Sequence, residues 1–427
     1  MIIKHNEIEI TDNSKECNED RYFLVSKQNI RYVKDVKDGG YKKLLKSKEL
    51  QDELDINDVK IIGVTGTNGK TTTAAAIYSI LLDLGKKVAL QGTRGFFINE
   101  DIEEGKSLTT PPLLQTIDHI KRAKDKGCEF FVMEVSSHAI AQGRIEGLNF
   151  ALKIFTNISR DHLDYHKTFE EYRRVKSSFF SDESKKLINK DGGKIDFNVK
   201  NALTYSIEHP ATYKIDAYSL SNGISAVLRH FQELIEFHSP MIGLFNLYNI
   251  TAAIAGVDMV CECDLKDIAS CAENFLGVKG RMQIVNEDPL VVVDFAHTPD
   301  GMQKVLDSIK DRDLVVVFGA GGDRDRGKRA MMGRVASRFA KKIYITSDNP
   351  RSEDPIQIIK EIVEGVDKDA YALIVPDRQQ AINLALKELK KDEVLFILGK
   401  GDEEYQEIKG KKIDFSDEKI VSSFFHG

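Results

Sequence analysis

The chain has no apolar run of the roughly 20 residues that a membrane-spanning helix needs, so no membrane insertion is expected. Its first residues, Met1-Ile-Ile-Lys-His-Asn-Glu7, lack an apolar signal core and a small-residue cleavage site, which makes the cytoplasm the expected location. Cysteine is scarce: the five residues Cys17, Cys128, Cys261, Cys263 and Cys271 are an odd, scattered set. The Cys261 and Cys263 spacing is wrong for a zinc knuckle, so the set reads as buried free thiols. An excess of either charge is missing too. A formal net charge of -6 with 30% charged residues of both signs excludes a protein that coats nucleic acid or a membrane surface. Any anion binding must therefore be local. Internal repeats and low-complexity linkers are also absent, and 427 residues are enough for several cores in two to four domains.

What is present is organised around Ile61-Ile-Gly-Val-Thr-Gly-Thr-Asn-Gly-Lys-Thr-Thr-Thr73, an apolar strand, a Gly-rich turn, and a helix opening on Lys70 and threonines. The helix continues through Ala74-Ala-Ala-Ile77 to Leu82, so its first amides and its dipole face the turn as they would face a phosphate. Lys70 is placed to reach the outer phosphates and Thr71 to sit on magnesium. The usual P-loop spacing requires glycine at the position of Val64, whereas the glycines here are Gly63 and Gly66, which marks a variant loop.

Residues 1–57 read as a small α/β module. From residue 58 strands and helices alternate, which predicts a mostly parallel sheet. Strands are expected at Lys60 to Val64, Lys87 to Gln91, Phe130 to Val135 and Leu152 to Thr156, and helices at Thr72 to Leu84 and Pro112 to Lys126. Gly85 and Gly127 stand where helix C-caps belong. After Ser181 the spacing shortens, predicting an antiparallel annex, and Gly243 to Asn249 opens a further helix. A third domain is expected from Gly280-Arg281, with strands at Leu290 to Asp294, Leu314 to Gly319, Lys342 to Thr346 and Val394 to Leu398. Ligands in such sheets bind beyond the carboxyl ends of the strands, so the polar clusters there are site candidates.

Glu134 ends an apolar strand, where a carboxylate contributes nothing to packing and commonly holds magnesium; a capping or salt-bridged glutamate is the alternative. Asn157-Ile-Ser-Arg-Asp-His-Leu-Asp-Tyr-His166 follows the next strand. Within it His162 is either a second metal ligand or a hydrogen-bonded loop histidine.

Thr65-Gly-Thr-Asn-Gly-Lys-Thr71, Met133-Glu-Val-Ser-Ser-His138, Ser159-Arg-Asp-His-Leu-Asp-Tyr-His166 and Gly280-Arg-Met282 run in order along the chain. Val293-Asp-Phe-Ala-His-Thr-Pro-Asp300, Gly321-Gly-Asp-Arg-Asp-Arg-Gly-Lys328 and Ser347-Asp-Asn-Pro-Arg-Ser-Glu-Asp-Pro355 follow them. Together these motifs resemble the Mur ligase family of peptidoglycan synthesis from about residue 60 to the C-terminus. The resemblance implies an α/β protein of three domains: a reduced UDP-binding module (1–57), a central P-loop-type ATP-binding sheet with an antiparallel annex (58–280), and a Rossmann-like acceptor domain (281–427).

It also implies roles. The loop Gly66, Thr67, Asn68, Gly69, Lys70, Thr71 and Thr72 would hold ATP with Asn246, Asn249, Arg281, Asp294 and Lys328. Two magnesium ions are implied, on Thr71 and Glu134 and on His162. Lys176 matches the lysine that carbon dioxide converts to a carbamate, completing a catalytic set of Lys70, Glu134, His162 and Lys176. The UDP-MurNAc dipeptide would lie against Thr109, Thr110, Ser136, Gln142 and Arg144. Asp348-Asn349-Pro350-Arg351 matches the diaminopimelate-adding members, with Arg324, Gly399 and Glu403 as further contacts; lysine-adding members lack that arginine. Arg351 is suited to the distal carboxylate that distinguishes diaminopimelate from lysine.

The implied activity is an ATP-dependent amide ligation of meso-diaminopimelate to UDP-MurNAc-L-Ala-D-Glu through an acyl phosphate. A monomer acting on small molecules, with no nucleic-acid partner, is expected. A lysine-adding homologue or a folylpolyglutamate-type ligase is the rival within the class, and a P-loop kinase or GTPase or an inactive ATP binder the rival outside it. Asp402 and Phe295 depart from the histidine and tyrosine usual in the family, and the N-terminal module is shorter than usual.

Overall fold

Ile61, Ile62 and Val64 are at most 2% exposed, as a strand covered on both faces requires, and their strand Lys60–Thr65 runs near the middle of the largest sheet. In a computed structural model, which describes residues 1–5, 8–221, 223–309 and 312–426, this sheet has eleven strands. On one side of Lys60–Thr65 lie Phe130–Glu134 and Val88–Gly92, and on the other Phe150–Phe155, Lys186–Asn189, Ala202–Ser206 and Tyr213–Ser219, all parallel. Antiparallel strands extend both edges: Ile224–His230 with Glu233–Ser239, and Gly95–Ile98 with Asp101–Glu104. The antiparallel annex thus begins later than the spacing predicts. Lys186–Asn189 and Ala202–Ser206 are joined by a connection without a helix, so a parallel pair imitates the short spacing of a hairpin.

The phosphate-loop helix is Lys70–Asp83, two residues ahead of its expected start at Thr72, and a second helix spans Leu113–Asp125. Gly85 and Gly127 follow their ends at φ +72° and +79°, the left-handed conformation that closes a helix. Small residues on Lys70–Asp83 (Ala74, Ala76) and on the helix Leu244–Asp258 (Ala252, Ala253, Ala255) are buried in one cluster with Ile77, Ile80 and Ile254. Close approach of these helices is what carries Asn249 to the phosphate loop.

The N-terminal residues form a four-stranded sheet of Ile2–His5, Ile8–Thr11, Tyr22–Val25 and Leu44–Lys46. Ile3, Ile10, Leu24 and Leu50 pack in one cluster with Ile61, Phe131 and Phe155, so this module shares its core with the central sheet. The C-terminal part has a six-stranded sheet in the order Gln283–Asn286, Leu290–Asp294, Glu393–Leu398, Asp313–Phe318, Ala340–Ile345 and Ala372–Ile374. Only the first of these pairs antiparallel. Separate apolar clusters cover its two faces.

Arg378 fastens the terminal helix Asp417–His426 to this sheet. Its Nε and Nη2 donate to Asp417 Oδ1 and Oδ2 at 2.8 and 2.7 Å, and Nη2 also donates to the Leu398 carbonyl at 3.0 Å. Both side chains are fully buried. Removing one partner strands a buried charge, which costs about 3–5 kcal/mol. Asp417→Ala is therefore expected to destabilise the protein by that amount, read as a lowered denaturation midpoint in urea; an unchanged midpoint would refute the role.

Candidate active site

The carboxyl ends of both sheets face one cleft of about 1000 Å³. Thr67, Asn68, Gly69, Lys70, Thr71 and Thr72 line it from the central sheet, and Arg281, Asp294, Lys328, Asp348 and Arg351 from the C-terminal one. Glycine is needed twice in the phosphate loop. A Cβ on Gly66 would lie 1.8 Å from Thr156 Oγ1, and one on Gly69, which has φ +84°, would lie 2.3 Å from Asn249 Oδ1. Asn249 is held there by Thr73 Oγ1, which donates to its Oδ1 at 3.3 Å.

Lys70 folds over its own loop, donating to the carbonyls of Gly66 and Thr67 at 2.9 Å each. Lys176, 1% exposed on the helix Phe169–Ser178, donates to the same Gly66 carbonyl at 2.9 Å. Burial holds both ammonium groups below their usual proton affinity, and for Lys176, which is lowered furthest, the nearby Lys70 charge adds to the effect.

Glu134 is 2% exposed and accepts from Thr71 Oγ1 on Oε2 at 2.8 Å and from the Thr93 amide on Oε1 at 2.8 Å. Among the described residues it has no ion-pair partner. A buried carboxylate beside a hydroxyl, with the Lys70 charge near it but not paired to it, is a hard oxygen donor set that fits magnesium. His162 stands at φ +54° with Nε2 3.3 Å from Asp161 Oδ2, and burial lowers its imidazole, leaving a neutral ring with a free lone pair. These residues fit a divalent cation.

A smaller cavity of about 260 Å³ adjoins the cleft, lined by Gly66, Thr109, Thr110, Ser136, Arg144, His162 and Lys176 among others. Thr110 Oγ1 donates to the Glu134 carbonyl at 2.9 Å and accepts from the Ser136 amide at 3.0 Å, fixing this wall. Gln142 does not line it. Its Oε1 accepts from Arg144 Nε and Nη2 at 2.9 and 2.6 Å, while Arg144 Nη1 donates to the Thr110 carbonyl at 2.8 Å, so Gln142 aims the guanidinium.

On the C-terminal side, Asp294 accepts from the Met282 and Ala296 amides at 2.7 Å each and is 6% exposed. The Arg281 guanidinium lies over the Phe295 ring, 4.2 Å from its centroid. Lys328 reaches into the cleft, makes no ion pair among the described residues, and is lowered by burial. Among the described residues Arg324 donates only to the Asp323 carbonyl, at 3.2 Å. Arg351 Nη1 donates to the Gly322 carbonyl at 2.7 Å and its Nε lies 3.2 Å from Glu407 Oε2. Asn349 donates to Glu403 Oε2 at 2.8 Å, and buried Lys400 pairs with the same oxygen at 2.9 Å. Glu403 therefore already has a cation beside it. Gly399, at φ +114°, makes room for the Asp348 carboxylate. Pro350 stays outside the cleft lining, its carbonyl packed against Gly322.

Asn246 is 1% exposed and sits behind the cleft, donating to the Ile242 carbonyl at 2.9 Å and accepting from Asn249 at 3.0 Å. It orients Asn249 and does not face the cavity. Thr93, His297 and Asp161 also line the cleft; sequence reasoning missed Thr93 and His297 and noted Asp161 beside His162 without giving it a role. Asp161 and His297 lay inside quoted motifs; Thr93 had no local signal.

Two family profiles match the chain: the Mur ligase middle domain over residues 64–257 and the Mur ligase glutamate ligase domain over residues 280–401. The chain is 55% identical to the UDP-N-acetylmuramoyl-L-alanyl-D-glutamate--2,6-diaminopimelate ligase of Wolinella succinogenes, covering 97% of this chain and 95% of that protein. It is 48% identical to the ligase of the same name from Helicobacter pylori, with the same coverage. A solved structure of a UDP-N-acetylmuramoyl-L-alanyl-D-glutamate--2,6-diaminopimelate ligase superposes with a TM-score of 0.67 at 30% identity, covering 98% of this chain and 95% of that one. With a phosphate loop, a buried unpaired carboxylate and a second cation-lined sheet meeting at one cleft, and with these matches along nearly its whole length, the chain belongs to the Mur ligase family.

Proposed function

We propose that this protein joins meso-diaminopimelate to UDP-MurNAc-L-Ala-D-Glu at the expense of ATP, giving the tripeptide precursor, ADP and phosphate. The observation that carries the reading is the cleft in which the phosphate loop faces Arg351 and Lys328 of the other sheet, with Lys176 lining the smaller cavity that adjoins it. In the first step a D-Glu carboxylate oxygen attacks the γ-phosphorus and ADP leaves. The diaminopimelate amine then attacks the acyl carbon, its proton is lost, and the acyl C–O bond breaks to release phosphate. Both steps bring anions together, so cations must offset them. Lys70 and Lys328 are the protein's cations at the phosphates, and Asn249 and Asp294 suit the base and ribose. Thr109, Thr110, Ser136 and Arg144 form a wall for the dipeptide. Two magnesium ions, held by Thr71 with Glu134 and by His162 with a carbamylated Lys176, would neutralise phosphate charge. Residues 1–57 would carry the uridine end, and the three-domain division at 57 and 280 follows the same assignment.

Carbamylation follows from the state of Lys176. Burial and the nearby Lys70 charge both favour the free amine of Lys176, the form that attacks carbon dioxide, forms an N–C bond and releases a proton, leaving an anion where a cation would repel metal. Incubation with 13C-bicarbonate is expected to give a carbamate carbon signal in the native protein and none in Lys176→Ala. A native protein without that signal at saturating nucleotide and magnesium would overturn the assignment.

Acceptor choice rests on Arg351. With Nε and Nη1 engaged, its Nη2 edge and Arg324 are left for a distal carboxylate. Phosphate release with diaminopimelate is expected to exceed that with lysine, and equal turnover would sink the assignment. Arg351→Ala is expected to raise the KM for diaminopimelate about tenfold or more, the worth of one charge-assisted hydrogen bond, while changing that for ATP little.

A further inference from the structure

Asp300 is a carboxylate at the domain junction to which neither phosphate chemistry nor acceptor binding gives a task. It is the second residue of the helix Pro299–Asp307, whose first turn is capped by Thr298 Oγ1 accepting from the Gly301 amide at 3.1 Å. Its Oδ2 accepts from Asn68 Nδ2 at 2.8 Å, Ser159 Oγ at 2.8 Å and Lys304 Nζ at 2.9 Å. Asn68 and Ser159 belong to the central sheet, Lys304 to the same helix as Asp300.

The two central donors are rigidly mounted. The Asn68 amide donates to Asn157 Oδ1 at 3.0 Å, and its carbonyl accepts from Thr156 Oγ1 at 2.6 Å and Asn157 Nδ2 at 3.0 Å. The Ser159 amide donates to Thr67 Oγ1 at 3.0 Å. The phosphate loop and the loop that leads to His162 therefore present one fixed pair of neutral donors to the opposite domain. Lys304 travels with Asp300, so when the domains part the carboxylate keeps a cation and does not resist opening. Neutral donors to a partly exposed carboxylate make a contact strong enough to bias closure and weak enough to break in each cycle.

We propose that Asp300 is a positioning residue that clasps the C-terminal domain onto the phosphate loop and so sets how often the cleft is closed around ATP. The inference rests on the ligase reading for its kinetic readout alone; ATP binding tests the clasp separately. ATP would touch both domains, through the phosphate loop and through Asp294 and Lys328, whereas the proposed dipeptide wall belongs to the central domain.

The test compares the native protein with Asp300→Ala, Asp300→Asn, Ser159→Ala and the Ser159→Ala/Asp300→Ala double variant. Magnesium-ATP affinity is read by calorimetry and turnover by phosphate release. Asp300→Ala is expected to lose about tenfold in kcat and about tenfold in ATP affinity with the KM for the UDP-dipeptide unmoved. Asp300→Asn, whose amide oxygen still accepts from Asn68 and Ser159, is expected within about threefold of native. The double variant should be no worse than Asp300→Ala alone. A merely destabilised fold would lower kcat in proportion to the folded fraction and leave ATP affinity unmoved, and that result overturns the clasp. So does an Asp300→Asn as impaired as Asp300→Ala, or an additive loss in the double variant. Failure of the native protein to release phosphate with any amine would overturn the ligase reading, while the binding comparison still decides the clasp.

Discussion

Two lysine side chains donate to one carbonyl oxygen, that of Gly66. Much of the site depends on this contact. Two ammonium groups at one buried acceptor repel each other, and the more deeply buried Lys176 is the one that gives up its proton more readily. The arrangement is possible only because residue 66 has no side chain, since a Cβ there would collide with Thr156. The glycine that displaces the usual P-loop pattern thus brings three things together: the turn that holds phosphate, a strand-end threonine, and a lysine from a helix more than a hundred residues later.

The second constraint is that the junction between the two sheets is mostly polar. The contacts across it include the Asn68 and Ser159 bonds to Asp300, a 3.9 Å approach of Arg160 to Asp325, and a Lys106–Asp402 ion pair at 3.0 Å. Exposed pairs of this kind contribute little each. The larger apolar clusters, in contrast, join the N-terminal module to the central sheet and fill the C-terminal sheet separately, while Ile242 and Phe245, at the start of the helix Leu244–Asp258, pack across onto the C-terminal cluster. The larger cores therefore lie within the bodies, and the junction joins one small apolar contact to several weak, wettable polar ones, which is the distribution a cleft needs if it must open to load three substrates and close to exclude water.

What was legible in the sequence follows from range. The phosphate loop, Glu134 at a strand end and the strand-end clusters of the C-terminal sheet are local patterns, and they fall at one cleft. Chain-order spacing also gave the helices and their glycine stops. It failed where the physics is non-local. The helix-free connection between Lys186–Asn189 and Ala202–Ser206 looks like a hairpin until the sheet shows the strands parallel. Asn246 and Asn249 are one turn apart and look equivalent, but only Asn249 reaches the cavity, because Asn246 spends its amide on the Ile242 carbonyl. Gln142 likewise looks like a ligand-binding amide and is occupied with Arg144. Asp300 had no local signal of a role, since its partners across the junction, Asn68 and Ser159, are more than a hundred residues away.

The two departures from the family pattern have physical readings of their own. Phe295 keeps the part of tyrosine that a guanidinium uses: Arg281 lies 4.2 Å from its ring centroid, an attraction to the π face that needs no hydroxyl. Asp402 is a different matter, because a carboxylate in place of an imidazole changes the charge at the end of the cleft proposed for the acceptor. Its partner Lys106 comes from the segment just before Thr109 and Thr110, so the substitution pairs the wall proposed for the dipeptide with the loop Gly399 to Glu403. A histidine could not form that ion pair with a lysine, since both carry positive charge or none. The exchange therefore moves one of the junction's polar contacts onto the residues nearest the proposed acceptor, next to Glu403 with its own cation Lys400.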